Sequence, residues 1–325
     1  MRRLALKKLA LVGTLLTGAA LAAFPVMAQD FPTKQPIKIV VAAPPGAGTD
    51  VIGRITAEFL QKRLKQAVVV ENKPGAGSAI GADFVAKSPA DGYTIYLTAS
   101  ELPTLPAVRS NLPYKFDEFT FLVRGFSYPI LLLANPKLPV NSLQELAAYM
   151  KANPGKVRYG STGVGAIVHL AMAMLESSVG AKGVHVPYPG SAPIFQDLLA
   201  GNVDITESGP PFPDGIKVLG SVGTKRHPAY PNLPTLDEAG IKGATWDLWF
   251  GFVAPPNLPK PIADKLIAEI SAVLKDPEAI DKYKASIKNA PVVDPLKGDA
   301  FKAQVLAEHK AWKTVVEREK IVVQQ

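Results

Sequence analysis

Pro36-Ile37-Lys38-Ile39-Val40-Val41-Ala42, followed by Pro44-Pro45-Gly46-Ala47-Gly48 and then residues 49–64, reads as a strand, a tight turn and a helix in direct succession. Val51, Ile52, Ile55, Phe59, Leu60 and Leu64 recur at the spacing of one helical face, and Thr49 or Asp50 stands where a cap or first-turn residue belongs. The same grammar repeats downstream: 67–71 reads as a strand, 74–78 as a turn, 79–87 as a helix and 93–98 as a strand. Strands alternating with helices through short turns predict βαβ units, hence an α/β chain with mostly parallel sheets flanked by helices.

A second set begins at 129–134. Ser142 precedes a helix over 143–152, with Glu145 placed to complete a capping box. A strand at 157–160, a turn at 161–165, a helix at 166–178, a strand at 182–187, a helix at 192–200 and a strand at 203–206 follow. An apolar segment at 246–253 then leads into helices at 261–275, 277–288 and 298–319. Two interleaved lobes are predicted, residues 29–129 with 234–325 forming one and 130–233 the other.

Composition narrows the classes. The 325 residues include 30 Pro and no Cys. Average Pro usage is about 5%, so this scattered excess excludes coiled coils and long helical arrays, whose interiors Pro breaks. An apolar fraction of 47% excludes wholesale disorder. The missing Cys excludes disulfides, thiolate metal sites and Cys nucleophiles.

Residues 1–28 have the form of a signal peptide. Arg2, Arg3, Lys7 and Lys8 precede an uncharged stretch from Leu9, and Val26-Met27-Ala28 offers a cleavage site. An anchoring helix is the other reading, and Gly13, Gly18 and Pro25 weigh against it. Cleavage near Ala28 predicts an exported protein. It also takes four positive charges from the formal net charge of +8. The remaining basic residues alternate with acids, as in Glu317-Arg318-Glu319-Lys320, so no nucleic-acid partner is expected.

No GxSxG, HExxH, P-loop or EF-hand motif is present, and the four His residues (169, 185, 227 and 309) stand far apart in sequence. No catalytic residue, metal or cofactor is therefore expected. What the chain does carry is three Gly-x-Gly turns between a strand and a helix, at 46–48, 75–77 and 163–165. A helix start leaves backbone N–H groups unpaired and carries partial positive charge, and glycine lets a ligand approach that backbone. Such turns make an anion cradle without Lys or Arg; glycine serving the turn alone is the plainer reading of each. The turn at 75–77, with Gly81, is one residue off the dinucleotide spacing and follows the second strand, so no dinucleotide is expected. Candidate ligand contacts are Ala47, Gly48, Thr49 and Asp50 in one loop and Ser161, Thr162, Gly163, Val164 and Gly165 in another. His169 either donates to the cradle or packs within its helix, and Tyr188 either lines the mouth or belongs to the core. Trp246, Trp249 and Phe250 read as core.

An ordered series of motifs carries a resemblance. Pro44 through Asp50, Val69-Val70-Glu71-Asn72-Lys73-Pro74-Gly75-Ala76-Gly77, Asp91-Gly92-Tyr93-Thr94, Tyr159-Gly160-Ser161 with His169-Leu170-Ala171, and Val184-His185-Val186-Pro187-Tyr188 together resemble the substrate-binding receptors of tripartite tricarboxylate transporters, the Bug proteins. The resemblance spans essentially the whole mature chain. It implies a monomeric periplasmic binding protein of two α/β lobes that closes on a small carboxylate in the cleft between them and delivers it to membrane permease subunits. It further implies that loops 46–50 and 161–165 hold one carboxylate, largely through backbone N–H groups, and it adds Ser100 and Glu207 to the candidate contacts. Glu101 and Glu207 depart from the usual pattern; facing the cleft, either would repel a second carboxylate and favour a donor group there. A periplasmic sensor or an enzyme on the same fold are the alternatives, the latter needing His169 and Glu207 as an acid–base pair.

Overall fold

Alternation along the strands sorts the side chains into layers. In the computed structural model, which describes residues 31–286 and 292–321 and so leaves the expected signal peptide outside the described residues, strand β1 spans Ile37–Val41. Its Ile37, Ile39 and Val41 enter one core while Val40 enters another on the opposite face. Helix α1 (Gly48–Leu64), β2 (Val68–Asn72), α2 (Ala79–Ala86), β3 (Thr94–Ala99), α3 (Glu101–Val108) and β4 (Thr120–Pro129) complete the first run. β3 repeats the rule, with Ile95 and Leu97 on the first face and Tyr96 on the second. Strands buried on both faces read as continuous apolar runs.

The second run comprises β5 (Leu131–Ala134), α4 (Leu143–Ala152), β6 (Arg158–Ser161), α5 (Ile167–Val179), β7 (Val184–Pro187), α6 (Ser191–Ala200), β8 (Ile205–Ser208) and β9 (Lys217–Ser221). The chain then returns through β10 (Asp247–Ala254), α7 (Lys260–Val273), α8 (Pro277–Ser286), β11 (Val292–Lys297) and α9 (Gly298–Arg318). Ser142 caps α4 as the sequence predicts: its Oγ accepts from Glu145 N–H at 3.1 Å, and the Glu145 carboxylate accepts from Asn141 N–H at 2.7 Å.

The strands form two mixed sheets, ordered β11-β4-β10-β3-β1-β2 and β7-β6-β8-β5-β9. The βαβ units β1–β2–β3 and β6–β7–β8 are parallel as expected, and the remaining strands pair antiparallel. The antiparallel part includes the strands that cross between lobes. β4 hands over to β5 at Pro129/Ile130, and the chain returns to the first sheet at Trp246/Asp247, later than the expected return at residue 234. Residues 234–246 stay with the second lobe because Leu236, Ile241, Ala244 and Trp246 bury in its core. Helix α9 straps both lobes, with Phe301 and Val305 in one core and Trp312 in the other.

Register places the crossings at a definite edge. Phe250 pairs with Ala99 and Asp247 with Pro129, so β10 begins at the carboxyl end of β3. In the second sheet, Leu131 at the start of β5 pairs with Ser208 at the end of β8. Both crossings therefore lie at the edges where the parallel strands end, and the turns after β1 and β6 flank the same junction. Gly223 packs against both segments: a Cβ there would lie 2.5 Å from Asp247 Oδ1 and 2.9 Å from Pro129 Cβ. Gly223→Ala should therefore lower stability by about 1–3 kcal/mol through overpacking, read as a shift in the thermal melt; an unchanged melting temperature would show that the crossing gives way freely.

Candidate functional site

Two helices begin at these edges with alanine at the N-cap. Ala47 precedes α1 and Ala166 precedes α5, and neither gives a side-chain cap. Ser, Thr, Asp and Asn are the residues that satisfy a helix start, and Ala is among the poorest. The first intrahelical bonds are Val51 N–H to Ala47 O at 3.0 Å and Leu170 N–H to Ala166 O at 3.1 Å. The three preceding amides of each helix, at Gly48, Thr49 and Asp50 and at Ile167, Val168 and His169, thus have no intrahelical acceptor.

The first loop is shaped by Asp50, which is 2% exposed. Its Oδ2 accepts from Gly46 N–H at 2.8 Å and from Arg54 Nε at 2.9 Å, and its Oδ1 accepts from Asn72 Nδ2 at 2.8 Å. Burial pushes its pKa up, yet Arg54, Gly46 and Asn72 outweigh that and hold it below the ordinary value. Asp50 is thus committed inside the loop, and the accessible groups are Ala47, Gly48 and Thr49. A Cβ on Gly48 would meet nothing within 4 Å. Nothing inside the chain needs glycine there; the space in front of it is open.

The second loop runs through glycines at φ 129° and 80° (Gly163 and Gly165), a region that disfavours side chains. Ser161 is fully buried. Its Oγ lies 3.0 Å from Gly163 O, 3.2 Å from Gly163 N and 2.6 Å from His185 Nε2, so the hydroxyl is used in shaping the turn. Gly165 N–H donates to His169 Nδ1 at 3.0 Å, and the His169 and His185 rings stack with centroids 3.8 Å apart. Thr162 and Val164 are exposed. Among the described residues the hydroxyls of Thr49 and Thr162 take no partner within the chain. Tyr188 N–H donates to Ser161 O at 2.9 Å and its hydroxyl to Asp197 Oδ2 at 2.6 Å, which ties it to the loop's flank.

Two expected contacts, Ser100 and Glu207, and the neighbouring Glu101 take partners within the chain. Ser100 accepts from Trp249 N–H at 2.9 Å and donates to Asp247 O, holding β10; it lines a cavity of about 380 Å³ at the lobe junction with Arg124, Trp246, Gln304 and Glu308. Glu101 turns back on its own turn, accepting from Ala99 N–H at 3.1 Å. Glu207 is buried inside the second lobe, where Trp246 Nε1 donates to its Oε2 at 2.8 Å. Burial pushes its carboxyl up to about 8, so it is mostly uncharged at neutral pH and repels no anion. His169 and Glu207 make no hydrogen bond to each other, and no acid–base pair forms from them. The turn at 75–77 enters a short 3₁₀ turn and Arg109 donates to Ala76 O at 3.3 Å, so it forms no helix start like the other two.

His185, Asn72 and Arg54 are the residues that sequence reasoning passed over. Pairing brings two of them in: Tyr159 lies opposite His185 and Val41 opposite Asn72. Arg54 follows Asp50 by one helical turn of α1. Among the described residues no group of three or more His, Cys, Asp or Glu is arranged to hold a metal ion, and no helix is long and apolar enough to cross a membrane.

Two α/β lobes joined by crossing strands, with open helix starts on the facing edges, define the fold of a solute-binding receptor. Residues 52–321 match the model of the tripartite tricarboxylate transporter family receptor, TctC, and the chain belongs to that family. It is similar to the solved periplasmic binding protein BugD, with 32% identity and a TM-score of 0.69 over 90% of this chain and 99% of that one. Rpa4515 of R. palustris, solved with adipate, is 29% identical with a TM-score of 0.73 over 90% and 99% of the two chains. MatC (Rpa3494) of Rhodopseudomonas palustris, solved with bound malate, is 26% identical with a TM-score of 0.67 over 88% and 100%.

Proposed function

We infer that this receptor captures a small organic acid in the periplasm, between its two lobes, and delivers it to the membrane permease of a tripartite tricarboxylate transporter. The observation that carries the reading is the pair of alanine-capped helix starts with open backbone in front. Burying a carboxylate requires donors for its lone pairs, and the amides of Gly48 and Thr49 and of Thr162 and Val164, with the Thr49 and Thr162 hydroxyls, are donors of that kind, whereas Ala47, Gly163 and Gly165 N–H are spent inside the chain. Closure of the lobes about the crossing strands is a hinge motion. Adipate and malate, the ligands of the two relatives, are both dicarboxylates, so a small dicarboxylate is the ligand class expected here. The signal-peptide pattern supports the compartment, and family membership supports the permease.

Calorimetric titration with adipate, malate and hexane-1,6-diamine tests it. A dicarboxylate should bind at one site per chain and the diamine should not. Gly48→Val should fold with an unchanged melt and weaken binding about tenfold or more, since a side chain would fill the space over the amides. Absence of binding by any carboxylate, or unaltered affinity in Gly48→Val, would overturn the assignment.

A further inference from the structure

We propose that the neutral imidazoles of His169 and His185 are positioning residues that hold the second loop in its anion-receiving shape, so that protonating them releases the grip. The proposal rests on the receptor reading for its ligand, and on the loop's own geometry for the rest. Gly165 N–H points at His169 Nδ1, so that nitrogen is an acceptor and the proton sits on Nε2. The Ser161 hydroxyl has one proton, shared between Gly163 O at 3.0 Å and His185 Nε2 at 2.6 Å, and it accepts from Gly163 N–H. The network fixes the tautomer of His169, while a neutral His185 meets the hydroxyl in either tautomer.

The rings lie nearly parallel, 7° apart, and Tyr159 of β6 stacks on His185 at 5.2 Å. Tyr159 is the other titratable side chain against the pair, and burial keeps its hydroxyl protonated. Glu176 of α5 and Glu319 act on Tyr159, while Lys182 pairs with both carboxylates. Two cations cannot share a stack this close. Burial lowers the pKa of His169, and burial together with the neighbouring His169 lowers that of His185 to about 4. Both rings are therefore neutral at pH 7.5. Acid first converts the Nδ1 of His169 into a donor, which then faces the Gly165 donor. One must turn away, and Gly163 to Gly165 lose their fixed φ. An imidazolium serving as a direct anion contact would have the opposite sign, with affinity rising in acid.

Substitution by an amide separates these roles. His169→Asn places an Oδ1 acceptor near the position of Nδ1, and His185→Gln places an amide near the position of Nε2; neither new side chain titrates. The ligand-free protein is followed first, by ¹⁵N NMR of the imidazoles and of the Gly165 amide from pH 7.5 to 4.5. Nδ1 of His169 should be unprotonated at pH 7.5, and the Gly165 amide should titrate with it in the wild type and not in His169→Asn. Adipate titration should then show the wild type losing about tenfold more affinity than His169→Asn between pH 7.5 and 4.5, the equivalent of one neutral hydrogen bond. His169→Asn and His185→Gln should stay near the wild-type affinity at pH 7.5, whereas both Ala variants fall below it. A protonated Nδ1 at pH 7.5, a Gly165 amide blind to pH, or affinity that rises in acid in the wild type alone would overturn the proposal. Should no carboxylate bind at all, the amide and imidazole signals still decide the positioning role, while the receptor reading falls by itself.

Discussion

Asp50→Ala is expected to weaken dicarboxylate binding about 30- to 150-fold, as three donors lose one buried acceptor at a cost of roughly 2–3 kcal/mol. Gly46 N–H, Arg54 and Asn72 all converge on this carboxylate, and Asn72 also donates to Ala43 O at 3.0 Å. The loop before α1 is therefore clipped at both ends to the carboxyl edges of β1 and β2. Arg54 is half exposed, so the charge itself contributes less than the buried hydrogen bonds. Asp50→Asn, which keeps an acceptor but loses the charge, should fall between wild type and Asp50→Ala. The pH dependence has a fixed sign. The folded pKa lies below the ordinary 3.8, so the contribution is fully present above that value and is lost as pH falls through the folded pKa. Calorimetry at pH 7.5 with circular dichroism of each variant measures both parts. Wild-type affinity in Asp50→Ala would mean that the first loop holds its shape without its buried anchor.

Much of this arrangement was legible residue by residue. The alternation in Ile37 to Val41 specifies a strand buried on both faces, and the Ser142/Glu145 pair specifies a helix start, because both signals are local. Helix α3 escaped because Pro103 and Pro106 mimic a loop; Pro103 falls in the first turn, where no N–H is needed. In β4, Arg124, Gly125 and Ser127 interrupt the apolar pattern. The return crossing carries no linker composition to mark it. At the site, both Gly-x-Gly turns were readable, but the side chains that shape them were not. His185 meets Ser161 only through the pairing of β6 with β7, and Asn72 meets Asp50 only through β1 with β2. A hydroxyl and a carboxylate in a ligand loop look like ligand contacts in sequence; burial of Ser161 and Asp50 turns them inward. Alanine at both caps was the unread signal, since a helix start left uncapped beside glycine is open to something outside the chain.

Glu207→Gln should make the protein more stable than wild type at pH 8 and about equal to it at pH 5. The carboxyl sits in β8 opposite Leu132, under the indole of Trp246 at the return crossing, and its Oε1 has no partner among the described residues. Burial raises its pKa from 4.5 to about 8. The folded state therefore holds a proton that the unfolded chain gives up, and stability falls as pH rises from about 4.5 to 8, by up to about 1.4 kcal/mol per pH unit. Over pH 5 to 8 this one group should remove about 3 kcal/mol from the wild type and nothing from the Glu207→Gln variant. The amide keeps an acceptor for the Trp246 N–H and replaces the acid's O–H donor with N–H, so the two should match where the acid is protonated. Charging Glu207 above pH 8 leaves an unpaired carboxylate beside the strand that returns to the first lobe, so the hinge is where the loss should first be felt. Thermal melts of both proteins across pH 5 to 9 measure the difference. Parallel curves would mean that Glu207 already ionises in the folded state at neutral pH.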